Sequence, residues 1–98
     1  MQDSETKPIT LLFDLETTPL DQEDVSLHCL VILDYETGET YRYNDTGAAM
    51  PISRGVTTLM CADTIIGHNI IGFDIPMIKK VYPFFEPKGR VIDTLLLS

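Results

Sequence analysis

Two acids two residues apart close an apolar run near the start of the chain, in Ile9-Thr10-Leu11-Leu12-Phe13-Asp14-Leu15-Glu16-Thr17-Thr18. Side chains of a strand alternate between its faces, so an extended segment puts Asp14 and Glu16 on one face and Phe13 and Leu15 on the other. Neighbouring carboxylates resist joint ionisation unless a cation or a shared proton relieves them. A pair at the mouth of a buried strand therefore suggests a metal site. The same two acids would also serve as a strand cap and the first residue of a solvated loop. A second segment separates these readings: Asn69-Ile70-Ile71-Gly72-Phe73-Asp74 follows a short apolar run and opens a helical pattern. It supplies a third acid, on an element that an α/β sheet can bring to the same strand ends. Taken one at a time, Asp74 also fits a helix N-cap, Asn69 a turn residue and Phe73 core packing.

The rest of the chain bounds what such a site does. At 98 residues it is one domain at most, and an apolar content of 44% is enough for a single core. Fifteen acids against seven Lys and Arg give a net charge of −8, the wrong sign for a broad basic footprint on nucleic acid. Any phosphate handled here needs cations. Lys79, Lys80, Lys88 and Arg90 cluster within residues 79–90, as a local basic rim or a solvated helix face. Cys29 and Cys61 have no metal or redox spacing and read as small buried hydrophobes of a reduced, intracellular protein. The first eight residues lack a signal peptide's pattern and no run approaches eighteen apolar residues, so a cytoplasmic protein with no membrane partner is expected.

The elements that must position the acids follow in order. Residues 1–8 are a polar arm ending in Pro8, and 9–15 are the first strand. Thr17 to Ser26, with Pro19 and Asp21-Gln22-Glu23-Asp24, reads as a loop beside the carboxylate pair. Leu27 to Tyr35 is nearly continuously apolar, which predicts a strand buried on both faces; the turn 36–39 and the alternating Thr40–Tyr43 complete a hairpin. Pro51 opens a helix to about Ala62, weakened by Gly55, and 64–68 form a short strand. After the loop 69–73, a helix over about 75–82 carries Pro76 in its first turn, Ile75, Ile78, Val81 and Tyr82 on its apolar side, and Lys79 and Lys80 on its wet side. Arg90–Ile92 is a brief strand, and Asp93-Thr94 an N-cap for the leucines that follow. This order predicts an α/β mixed sheet with an antiparallel hairpin, a parallel fourth strand and the first strand in the interior. Three leucines in so short a final segment need something to bury them, so the sequence is expected to break off inside an element.

Phe13-Asp14-Leu15-Glu16-Thr17-Thr18 and His68-Asn69-Ile70-Ile71-Gly72-Phe73-Asp74 resemble the first and second motifs of the DnaQ-like 3′–5′ exonucleases, which share a ribonuclease H-like fold. With Ile92 to Ser98 and the hairpin, the match spans residues 9–98 and is most similar to the N-terminal proofreading domain of family A DNA polymerases from short-tailed phages. The resemblance implies a ribonuclease H-like mixed sheet with flanking helices, two Mg²⁺ or Mn²⁺ ions, the 3′ end of single-stranded DNA as substrate, the rest of a polymerase as partner, and action in a host cytoplasm. It implies that Asp14 bridges both ions, that Glu16 binds the ion activating the water, and that Asp74 holds the other. Asn69 and Phe73 would shape the site around the terminal nucleotide, and Thr17 would touch it. The chemistry is two-metal phosphodiester hydrolysis, one ion serving the nucleophile and the other the leaving 3′ oxygen.

The family's third motif, a Tyr or His followed four residues later by a fourth metal-binding Asp, belongs on a helix downstream of the second. Tyr41-Arg42-Tyr43-Asn44-Asp45 has that spacing but lies between the first two motifs, on a predicted strand and turn. The chain thus carries three of four ligands, reads as a C-terminally incomplete domain, and is expected to be inactive or weak alone. Two other readings stay open. Asp14-x-Glu16-x-Thr18 resembles the nucleophile motif of haloacid dehalogenase-like phosphatases, with Glu in place of their second Asp. Alternatively, the chain is a non-catalytic folding half or interaction module of a split or truncated polymerase.

Overall fold

Alternation along the first strand sets the layering of the molecule. Leu11, Phe13 and Leu15 are buried while Asp14 and Glu16 are exposed, the period-two pattern of a strand with one face on a core. The computed structural model, which describes residues 7–18, 26–47 and 50–97, makes this strand β1 (Thr10–Thr17) the centre of a sheet. The other strands are β2 (Leu27–Asp34), β3 (Thr40–Tyr43), β4 (Thr64–Gly67) and β5 (Arg90–Asp93), in the spatial order β3-β2-β1-β4-β5. β2 is antiparallel to β1 and to β3, whereas β4 is parallel to β1 and to β5. The expected mixed α/β sheet, with its hairpin, interior first strand and parallel fourth strand, is the one observed, and it is compatible with a ribonuclease H-like fold.

One core lies on one face of this sheet. Leu30 and Ile32 stand opposite Leu15 and Phe13 and are fully buried. The helices α1 (Ile52–Cys61) and α2 (Ile75–Val81) add Ile52, Val56, Leu59 and Ile78 to the same cluster. The opposite face carries Leu12 and Leu33, then Asp14 and Val31, then Glu16 and Cys29 as cross-strand pairs. Among the described residues Leu12, Val31, Leu33 and Ile66 are only half-buried and lie outside the core. The expectation that the second strand is buried on both faces is therefore corrected: it is apolar on both and covered on one.

Two further expectations change for the same reason. Cys29, on the open face, is half-buried, and Cys61, at the end of α1, is exposed, so neither is a core residue. Val81 is exposed rather than packed. Gly55, which weakened the first helix on propensity, is what allows that helix to pack. A Cβ there would come within 2.7–2.9 Å of the Leu30 and Tyr43 side chains, so a bulkier residue would push α1 off the sheet. The predicted loop 17–26 falls largely outside the described residues, as do 1–6 of the polar arm. Its base is pinned by the Thr18 N–H donating to the Ser26 carbonyl at 3.0 Å. Among the described residues no helix is long and apolar enough to cross a membrane.

The one-sided core makes a prediction on a single strand. Ile65 is buried and Ile66 is half-buried on the open face. Ile65→Val is expected to cost about 0.5–1.5 kcal/mol and Ile66→Val less than about 0.5 kcal/mol. Urea unfolding midpoints check this; equal costs would mean that the second face is also packed.

Candidate active site

The three parallel strands end side by side, and in open α/β sheets the crevice beyond the carboxyl ends of the strands is where ligands bind. β4 pairs with β1 only from Thr10 to Leu12. Beyond that point the β4-facing edge of β1 is free for other partners, and the strand ends in a register shift at Glu16 and Thr17. Such irregularities re-aim side chains at sheet rims.

The segment after β4 turns back onto this free edge. Asn69 adopts a left-handed conformation, φ 60° and ψ 32°, which Asn tolerates better than most residues. A five-residue π turn, Ile70–Asp74, then runs directly into α2. Sequence reading expects a loop here; the chain instead makes a wide helical turn, a form frequent at functional sites. Gly67 permits the approach, because a Cβ would meet the Ile70 side chain and come within 3.0 Å of the Phe13 carbonyl.

This turn delivers Asp74 to β1. The residue sits at the N-cap position of α2, yet its backbone is already helical and its side chain makes no capping hydrogen bond. The carboxylate is turned instead towards β1, where the Leu15 N–H, with its own N–H, favours its charged form. Only 6% of the residue is exposed. Burial first and the charge of Asp14 second push its pKa up to about 6; the charge of Asp93 adds to them and the two N–H bonds oppose.

Asp14 and Glu16 are exposed on the same face of β1, with Cα atoms about 6.5–7 Å apart along the strand. Among the described residues, no group of three or more His, Cys, Asp or Glu side chains stands close enough to hold a metal ion. In place of the expected convergence of three acids, the structure sets Asp74 close enough to Asp14 to feel its charge, with Glu16 further along. The open face has a shallow depression of about 180 Å³ beside Asp14, lined by Leu12, Phe13, Val31 and Leu33.

The other expected site residues lie on the segments that carry the acids. Thr17 ends β1 half-buried, its hydroxyl donating to the Thr18 carbonyl at 2.9 Å. Asn69 is exposed at the head of the π turn, and Phe73 is half-buried within it. Tyr41 and Asp45 remain apart from the site in role: the Tyr41 hydroxyl donates to Glu39, and Asp45 accepts the Ile52 N–H at 2.9 Å. Asp93 is more than the cap expected. It does accept the Leu95 N–H at 3.0 Å, but also those of Asn69 at 2.7 Å and Ile71 at 2.9 Å. Nothing local in the sequence points 22 residues back; only the pairing of Gly67 with Asp93 brings these groups together.

The raised pKa of Asp74 has a consequence for stability. Between its ordinary value of 3.8 and about 6, the native state binds more protons at this group than the unfolded chain does. Stability from this group therefore falls as pH rises through that window and levels off above it. The ceiling is roughly 3 kcal/mol, reduced to about 1–2 kcal/mol by solvent screening. In metal-free buffer, Asp74→Asn is expected to gain that much on the native protein between pH 4 and 7. Parallel unfolding free energies across that range would contradict it.

No protein family matches the sequence, and no curated protein matches it. By fold, the chain is similar to the family B DNA polymerase from the hyperthermophilic archaeon Pyrobaculum calidifontis, with a TM-score of 0.66 and 21% identity. The similarity covers 92% of this chain and 16% of that one. A segment of a DNA polymerase thus has this α/β fold, and the chain spans a small part of that polymerase's length.

Proposed function

We propose that the chain is the first part of a metal-dependent 3′–5′ exonuclease domain of a DNA polymerase, of the DnaQ-like kind found in family A polymerases of short-tailed phages and acting in the host cytoplasm. The observation that carries this reading is the placement of Asp74. An acid at the first turn of a helix ordinarily caps it, and this one is turned away from the helix, buried, and set against Asp14 on the central strand. Likeness of fold to a DNA polymerase segment supports the polymerase part of the reading.

The donors fit Mg²⁺ or Mn²⁺. They are hard carboxylate oxygens, and a cation would relieve the burial and repulsion that drive Asp74 towards neutrality. Mg²⁺ commonly takes one or two protein carboxylates and completes its shell with water and substrate phosphate, so a close pair with Glu16 next along the strand suffices. The chemistry that divalent ions supply when bound is activation of a water and stabilisation of the leaving 3′ oxygen. Asp14, Glu16 and Asp74 are the residues that would hold the cations. Thr17, Asn69 and Phe73 shape the approach of the terminal nucleotide of single-stranded DNA. In this reading the remaining acid and the water-orienting Tyr or His would come from a downstream segment of the polymerase.

The test is release of 3′-terminal mononucleotides by the chain together with such a segment, with Asp14→Ala and Asp74→Ala as controls. Activity indifferent to both would contradict the assignment. The lack of a three-acid group among the described residues favours one other reading, a non-catalytic folding half. It predicts that the segment binds and folds with the chain but that no hydrolysis appears.

A further inference from the structure

Asp93 joins two stretches of chain that the sequence separates. It ends β5, and its carboxylate takes three backbone N–H bonds, using Oδ1 for Asn69 and Leu95 and Oδ2 for Ile71. Only 5% of the residue is exposed. Bonds to an ionised acceptor are the stronger kind. Burial alone would raise this carboxyl's pKa, but the N–H groups of Ile71, Leu95 and Asn69 and the charge of His68 outweigh it and the net direction is down. The neighbouring Thr94 extends the contact: its hydroxyl donates to the Gly67 carbonyl at 3.4 Å and lies 3.1 Å from Nδ1 of His68.

The first N–H groups of any helical turn have no partner within it. In the turn that follows β4 these belong to Asn69 and its successors, and Asp93 satisfies two of them. The turn so anchored is five residues long and ends at Asp74. At the far end Asp74 is buried. The turn is thereby held on β5 by Asp93 and packed against β1 where Ile70 closes over Gly67 beside the Phe13 carbonyl. Three donors already occupy the Asp93 carboxylate, which distinguishes it from the exposed Asp14.

We infer that Asp93 is a positioning residue for the candidate active site: by holding the N–H groups of Asn69 and Ile71 it sets Asp74 against β1 and beside Asp14, while touching neither cation nor substrate itself. Its consequence for cation binding rests on the exonuclease reading; the placement of Asp74 does not.

Amide hydrogen exchange on the full chain in EDTA separates a positioning role from a general one. Asp93→Asn keeps the size of the side chain and replaces one acceptor oxygen with a donor. The amides of Ile71 and Leu15 are expected to exchange at least about tenfold faster, the effect of one charge-assisted hydrogen bond on a local opening, with Leu30 and Ile65 in the core unchanged. Unchanged Leu15 exchange, or a uniform acceleration across the core, would overturn the inference. In Mn²⁺ the variant's affinity is expected to fall about tenfold, the lower end of what outer supports of metal sites cost. Equal affinity in both proteins would overturn it. No Mn²⁺ binding by the native chain would count against the exonuclease reading instead, with Leu15 exchange still deciding the role of Asp93. Should the variant not fold, exchange of the native chain in rising urea decides. Leu15, Asn69 and Ile71 are expected to open as one unit, and independent opening of Leu15 would overturn the inference.

Discussion

Joined to a downstream segment that carries the third motif, the chain is expected to remove nucleotides from the 3′ end of single-stranded DNA in Mg²⁺ or Mn²⁺, and Asp14→Ala or Asp74→Ala to slow that reaction by roughly two to three orders of magnitude. The size follows from the several kcal/mol that a cation contributes to charge stabilisation in the transition state, at one factor of ten for each 1.36 kcal/mol. Losing Asp74 removes a buried carboxylate that feels the charge of Asp14. Alone, the chain is expected to be slower than the joined protein by roughly 10²–10⁴-fold, the range for a missing proton-handling group, since a Tyr-x-x-x-Asp or His-x-x-x-Asp pattern does not follow its second motif. The release of mononucleotides from a labelled oligonucleotide measures both differences. Full activity of the chain alone, lost in the two variants, would show that the third motif is dispensable.

The second large effect is on stability. A cation that binds the folded pair and not the unfolded chain adds about 2.7 kcal/mol at a hundred times its dissociation constant. For a chain of this size that corresponds to a rise in melting temperature of roughly 10–20 °C. The driving force is the one that raises the pKa of Asp74: a carboxylate taken out of water near another carboxylate. Asp14→Ala is expected to remove most of the response. The net charge of −8 attracts cations everywhere on the surface, so the response is to be compared at 0.15 M salt, where exposed charges more than about 8 Å apart are largely screened. A rise of equal size in Asp14→Ala would assign it to that general attraction.

The sheet was legible because each strand carries its own signal. The apolar run ending at Asp14, the hairpin around Gly38 and the short strand ending at Gly67 fall at their expected places in the sheet, and so do the elements that hold Asp14, Glu16 and Asp74. Coverage of the sheet was not legible. Val31 and Leu33 are as apolar as Leu30 and Ile32, and only the position of the helices decides which pair is buried. Gly55 read as a weakness because propensity is local, whereas its use is a contact with Leu30 and Tyr43. The turn 70–74 escaped for a similar reason. Its width depends on the closeness of Gly67 to Phe13 and on bonds to Asp93, none of which leaves a mark in the spacing of residues 69–74. Three acids in two motifs suggested a formed three-acid group; among the described residues Asp74 feels the charge of Asp14 and no group of three stands together.

Whether Asp14 and Asp74 together make a cation site is tested most directly by titrating the isotope-labelled chain with Mn²⁺ and following paramagnetic broadening of each backbone amide. The signals of Asp14, Leu15, Glu16 and Asp74 are expected to broaden first and together, and Asp14→Ala to abolish this selectivity. Broadening spread over the acidic surface, or centred on residues away from the ends of β1 and the π turn, would contradict it.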